Sequence, residues 1–360
     1  MIARQAGAPR ARDAAAKARP PAGGWDVLVH RAVPYGWPRE LALTAVPYLK
    51  AGWSTGDAVV VIASEPVRVS LRERLGPEAG AGIEFIDSAD WFGGPMRALA
   101  GYHDRMRADW WPRGRLRLLA EPVWDGLSPL ETREWQRHES LLNVVFAGTP
   151  TSIMCAYDTV ALPPEVLAAM ARTHPELAGP DGPRPSPEYT DPAEYYAECN
   201  AGALPPPPAS AAHRMFGAGG LPPLRAFLAA EAARLGLPEA RTLPFVLAVN
   251  EVATMIIQFG GGHGSARLWG RAGELVCEVA DPGRALADRF LGYAPPPPGP
   301  PPAAVPAPPG APGAPGAQVG QGGQGVDGAM WAVRRLCHIV QIRSGADGTR
   351  IRMHIRLDHG

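Results

Sequence analysis

Two carboxylates stand where their neighbours suggest chemistry. Glu251 lies in "LAVNEVATMIIQFGGG" (residues 247–262), an apolar stretch of helical spacing that ends in three glycines. Asp281 closes the strand-like run "ARLWGRAGELVCEVAD" and opens an Asp-Pro-Gly turn. A glutamate on a helix that stops in glycines, followed by a hairpin and Asp-Pro-Gly, has the outline of a nucleotide site. A phosphate-bound magnesium ion needs hard oxygen ligands in near-octahedral array. One turn beyond Glu251 stands Met255, whose soft thioether cannot take that place. Taken singly, a glutamate on a helix face is ordinarily solvated and Asp-Pro-Gly is ordinarily just a turn. Only their order suggests a site.

A second group lies in the first half of the chain: His30, Glu121, Trp124 and His138. The pattern places His30 at the end of a first strand, "WDVLVH", and Glu121 with Trp124 after a fourth, "RLRLLAE". His138 falls on the helix "SPLETREWQRHESLLNVVFAG", beside Arg137, Glu139 and Asn143. Open α/β sheets bind ligands outside the carboxyl ends of their strands. These four residues therefore either line a ligand site or form a polar network that orders loops. His263, His338 and His354 show no ligand spacing on a helix face and read as surface or packing residues, and His103 and His174 read as plain surface positions. Cys155, Cys199, Cys277 and Cys337 have no CxxC or CxH spacing, so they read as buried thiols rather than disulfides or metal ligands.

The elements that must position these groups follow from periodicity. Residues 25–173 alternate strand-like and helix-like segments five times. "DAVVVIAS" is a continuous apolar run, as expected of a strand buried on both faces. Repeated β-α units predict an α/β fold with a mainly parallel sheet. From residue 176 to 223 the chain is rich in Pro, Ala and Gly, with "LPPPPAS" and "FGAGGLPP", and reads as a linker. A second domain spans 224–360: the Glu251 helix, a hairpin turning at Ala272-Gly273, a helix "GAMWAVRRLCHIVQIRS" opened by Gly328, and a final alternating strand "TRIRMHIRL". A Pro/Gly-rich insert at 294–327 interrupts it and cannot bury a core. Residues 1–24 read as a disordered leader without the apolar stretch of a signal peptide. Zero net charge gives no reason to expect nucleic acid or an anionic membrane as partner, and no long apolar run suggests a membrane span. The expected compartment is the cytoplasm.

The order "LAVNEVAT", "FGGG", "VADPGR", "GAMWAVRRLCHIVQIRS…GTRIRMHIRL" resembles the ATP-binding domain of the GHKL superfamily, above all the bacterial anti-sigma-factor serine kinases. The resemblance implies an α/β sandwich of the Bergerat type over about 225–357, with ATP as ligand and the 294–327 insert as its lid. It assigns Glu251 as the base toward the attacking hydroxyl, and Asp281 and Gly283 as adenine contacts. It puts Gly328 at a phosphate-binding helix N-terminus. Met255 replaces the asparagine that holds magnesium in that family, so magnesium is not expected to be held. The implied activity is that of a protein serine/threonine kinase, with a sigma factor or an anti-anti-sigma protein as partner. The alternative is a catalytically impaired module that regulates such a partner by docking alone. The segments "HRAVPYGWPRE", "EPVWDGLSPLETREWQRHESLLNVVF" and "MCAYDTVALPPEVL" resemble the MEDS sensory domain over about 25–175. That implies a RecA-like parallel α/β fold which senses a small-molecule signal. No GxxxxGK[ST] follows its first strand, so phosphate binding of the P-loop kind is not expected there.

Overall fold

The structure, a computed structural model, describes residues 27–286, 290–296 and 321–357. The leader and most of the 294–327 insert lie outside the described residues. The chain divides into two compact units, Met1–Phe92 with Asp104–Tyr195, and Gly93–His103 with Tyr196–Gly360.

The first unit is built on a seven-stranded sheet of order β3-β2-β4-β5-β1-β6-β7. Its strands are β1 (Val29–Tyr35), β2 (Ala58–Ala63), β3 (Glu84–Asp87), β4 (Leu116–Ala120), β5 (Thr151–Asp158), β6 (Glu176–Leu177) and β7 (Arg184–Pro185). All pairs are parallel except β6 with β7. Every residue of β2 is buried, because helices cover both faces of a parallel sheet. One face carries Val33, Tyr35, Val59, Val61, Leu119, Met154 and Ala156, which pack with Leu41, Ala45, Leu49, Val67 and Leu71 of the helices Pro38–Ser54 and Glu65–Leu75. The other face carries His30 and Cys155, set two residues out of register on the adjacent strands β1 and β5. The helix Pro129–Val145 supplies polar groups to it. That helix starts on a capping box: Ser128 Oγ accepts from the Glu131 amide and Glu131 Oε2 accepts from the Ser128 amide.

Two expectations need correction here. His30 is the second residue of β1, not its last, because the strand runs on through Pro34 to Tyr35 and pairs with β5 along its whole length. The 176–223 tract is not a plain linker. It contributes β6 and β7 to the first sheet, then the helix Pro192–Cys199, then β8 (Ala212–Gly217), an edge strand of the second sheet. The tract is held by backbone hydrogen bonds, such as Ala178 N to Ala32 O at 2.7 Å. Ladder pairing of this kind needs little apolar surface, so Pro- and Gly-rich composition conceals it.

The second unit has an antiparallel sheet of order β11-β12-β10-β9-β8, with β9 (His263–Arg271), β10 (Glu274–Asp281), β11 (Ile339–Gly345) and β12 (Gly348–Arg356). Alternate residues Leu275, Cys277 and Val279 of β10 and Ile351, Met353 and Ile355 of β12 face one core. The helices Leu221–Arg234, Glu239–Phe259 and Gln321–Leu336 bring Leu224, Leu228, Phe245, Val249, Val252, Ile256, Met330 and Val333 to it. The turn between β9 and β10 has Ala272 and Gly273 at φ 40° and 80°, as a two-residue hairpin requires. The Glu239–Phe259 helix is long and apolar enough to cross a membrane by length and composition, yet its apolar side is the centre of this core. The result is an α/β sandwich with helices on one face of an antiparallel sheet.

Candidate functional site

In the second unit the helix Glu239–Phe259 ends at Gly260, and the chain returns through Gly261 and Gly262 into β9. Asp281, at the end of β10, is 4 % exposed. Its Oδ1 accepts from the Gly283 amide at 2.8 Å and its Oδ2 from the Gly261 amide at 3.1 Å. The packing around it is tight enough to require glycine. A Cβ on Gly260 would overlap Asp281 Oδ2, and one on Gly261 would come within 2.7 Å of Oδ1. Gly348 has φ +89°, and a Cβ there would overlap the Asp281 carbonyl oxygen. Thr349 pairs with Asp281 across the ladder, and its Oγ1 donates to Arg284 O at 2.8 Å. The carboxylate, Gly283 and Thr349 thus lie side by side at the end of β10, and each carboxylate oxygen keeps a second lone pair.

The residues that the resemblance assigns to phosphate and metal are arranged differently. Glu251 is half-buried and makes no ion pair or side-chain hydrogen bond among the described residues. Met255, one turn on, is 4 % exposed and belongs to the apolar core. Asn250 Oδ1 accepts from Arg225 at 3.0 Å, and Gln258 is exposed. These residues do not fit a magnesium ion: the position one turn from Glu251 offers no oxygen and faces the core. Gly328 also departs from expectation. It is not the start of its helix but the eighth residue of Gln321–Leu336, and the free amides that bind phosphate occur only in the first turn. The helix extends back over a glycine-rich sequence, and Asp327 Oδ1 accepts there from the Gly292 amide at 3.1 Å.

In the first unit the four candidates do not share one site. Glu121 caps the carboxyl ends of the sheet: Tyr35 Oη donates to its Oε1 and the Ser64 amide to its Oε2 at 2.6 Å. Burial first, then the Glu121 charge, pushes the Tyr35 phenol well above its ordinary range. This is a loop-ordering network. An open cleft of about 450 Å³ near these strand ends is lined by Trp37, Pro38, Arg39, Pro66, Val69, Ser70 and Glu73 and includes none of the four.

His30 and His138 belong to a separate buried cluster on the polar face. His30 Nδ1 lies 3.0 Å from Asn143 Oδ1, and its Nε2 lies 3.4 Å from Cys155 Sγ and 3.8 Å from Glu139 Oε2. His174 Nε2 lies 3.4 Å from the same Glu139 oxygen. The two imidazoles are 4.2 Å apart at their centroids. Trp124 stands at the margin, with its ring 6.1 Å from that of Tyr157, which meets His174 edge-on. His138 packs edge-on against Trp135. Burial lowers His138 and His174 to about 4 each, and burial with the neighbouring His174 lowers His30 to about 3. All three imidazoles are therefore neutral at ordinary pH. Burial and the Glu139 charge raise the Cys155 thiol.

The sequence reading missed His174, which is fully buried rather than on the surface, and His103, which is 6 % exposed. It placed Glu139 and Asn143 on the helix without linking them to Cys155. Positions 30, 139, 155 and 174 have no local spacing to find. The one available signal was a run of polar residues, Gln136 to Ser140, too long for a helix that covers a sheet.

The model of the MEDS family (methanogen/methylotroph, DcmR sensory domain) matches residues 29–175. The model of the histidine kinase-like ATPase domain matches residues 218–355. No curated protein matches the chain significantly.

Proposed function

The chain joins a MEDS sensory domain to a histidine kinase-like ATPase domain, and from that premise we propose a cytoplasmic regulator that acts on its protein partner by docking, with catalysis impaired. The domain pair is that of a sensor-linked ATPase-like regulator, and the second domain carries the fold of an ATP binder. The observation that carries the finer reading is Met255, which lies in the apolar core where the resemblance calls for a magnesium ligand. Phosphoryl transfer depends on positioning and charge neutralisation by the metal, so loss of that ligand removes the larger part of catalysis. Gly328 inside its helix points the same way. The partner class is a sigma factor or an anti-anti-sigma protein, by resemblance of the second domain to anti-sigma-factor kinases. A small-molecule signal at the first domain would alter that docking.

Active serine phosphorylation is the second reading. It is favoured by Glu251, half-buried and free of ion pairs among the described residues. Calorimetric titration of the full chain with ATP, with and without magnesium, separates the two. Docking alone predicts weak binding that magnesium leaves unchanged. Tight binding that requires magnesium overturns it.

A further inference from the structure

Four side chains from four separate segments converge on one buried point in the first unit. They are His30 from β1, Glu139 from the helix Pro129–Val145, Cys155 from β5, and His174 from just beyond the helix Pro164–Thr173. One donor atom from each lies within 4.8 Å of all the others, and all four residues are buried.

The hydrogen bonds around the cluster fix its chemistry. Asn143 Nδ2 donates to the carbonyls of Ser140 and Thr173. Its Oδ1 is thereby turned to His30 as an acceptor, so His30 Nδ1 carries the proton. His174 Nδ1 faces the Met170 carbonyl at 2.9 Å, and a carbonyl only accepts, so that nitrogen also carries its proton. Both Nε2 atoms therefore present lone pairs inward, that of His30 toward the Cys155 thiol and that of His174 toward Glu139 Oε2. Neither Glu139 Oε2 nor His174 Nε2 has a hydrogen-bond partner among the described residues, and their side chains are 3 % and 0 % exposed. A buried imidazole lone pair set against a buried carboxylate oxygen, with no protein donor for either among the described residues, is costly. Imidazoles whose outer N–H is tied to a carbonyl or amide oxygen are the arrangement that metal ligands adopt.

We propose that His30, Glu139, Cys155 and His174 bind one divalent transition-metal ion of the zinc type. Two imidazoles, a carboxylate and a thiolate form a tetrahedral donor set that suits zinc, and the soft sulfur excludes magnesium and calcium. Metal–ligand bonds of 2.0–2.3 Å in a tetrahedron place donors about 3.3–3.8 Å apart. Cys155 to His30 at 3.4 Å, His174 to Glu139 at 3.4 Å and His30 to Glu139 at 3.8 Å already match. On binding, the Cys155 S–H bond breaks, its proton leaves to solvent, and the sulfur lone pair bonds to the ion. Thiolate and carboxylate then balance the 2+ charge, leaving a neutral buried site. All four positions are filled by protein, so the ion serves as a closed staple across four elements rather than as a centre that activates water.

The test is metal analysis of the full chain after dialysis, and cobalt(II) substitution followed by absorption. About one equivalent per chain is expected, with the ligand-field bands of tetrahedral cobalt and a thiolate-to-cobalt charge-transfer band. Cys155→Ser should abolish the charge-transfer band. Asn143→Ala, which leaves all four ligands in place, should weaken affinity about 10–100-fold. The double variant His213→Ala/His263→Ala removes exposed imidazoles and should change nothing. If His30→Ala fails to fold, Cys155→Ser and Asn143→Ala still decide. A folded wild-type chain that takes up no cobalt, or cobalt spectra identical in wild type and Cys155→Ser, would overturn the site.

Discussion

Met255 is held by packing, one turn from Glu251. It contributes to the apolar core of the second unit, so an asparagine there would bury an amide without partners. Met255→Asn should cost about 1–3 kcal/mol of unfolding free energy, read as a lower denaturant midpoint at unchanged slope. If stability holds and magnesium-dependent ATP binding appears, the residue faces the nucleotide side after all. Gly348 is the opposite kind of position, fixed by backbone geometry. Its φ of +89° and its contact with the Asp281 carbonyl mean that Gly348→Ala should destabilise by at least about 2 kcal/mol, measured by thermal unfolding. At this scale the sequence was partly legible. Asp281 and Met255 stand out from their immediate neighbours. His174, Cys155 and Glu139 do not, because their meaning lies in proximity that only the fold creates.

The helix Gln321–Leu336 carries four glycines in its first eight residues, each less favourable than alanine by about 1 kcal/mol in a helix interior. At Gly325 and Gly328 a Cβ would meet Phe259 and Pro296 at 3.5 and 3.6 Å, ordinary contact distances. Gly325→Ala and Gly328→Ala should each raise stability by up to about 1 kcal/mol, seen as a higher Tm. A loss of stability in both would show that the helix does not extend so far. Removing the cap of the other functional helix should do the reverse: Ser128→Ala is expected to cost about 1 kcal/mol. The five parallel strands were readable because a strand buried on both faces is a run of apolar residues, as in "AVVVIA". β6, β7 and β8 were hidden in proline-rich sequence, and the second half of β1 was disguised by Pro34. The helix around Gly328 was read too short because glycine ordinarily marks an end.

For the whole molecule, the position of β8 shows that the second sheet draws on residues before 224. β8 closes the edge of the sheet against β9, and Arg352, paired with the buried Glu278, also donates to the Pro205 carbonyl at 2.7 Å. A fragment covering 204–360 should therefore melt cooperatively and well above a fragment covering 224–360, although both keep all but the first turn of the ATPase-like helices. Equal melting of the two, by circular dichroism, would return the 204–223 stretch to the status of a connector.

The pairing of β1 with β5 also governs the order of events while the chain is made. Val29 meets Ser152, and β6 on its other side comes later still. At 5–20 residues per second, about 6–25 s pass between synthesis of the first strand and of its partner. During that interval neither of the strands that flank β1 in the sheet has been made. Slowing translation between codons 36 and 150 should lengthen that interval and lower the soluble yield, whereas slowing it after codon 200 should not.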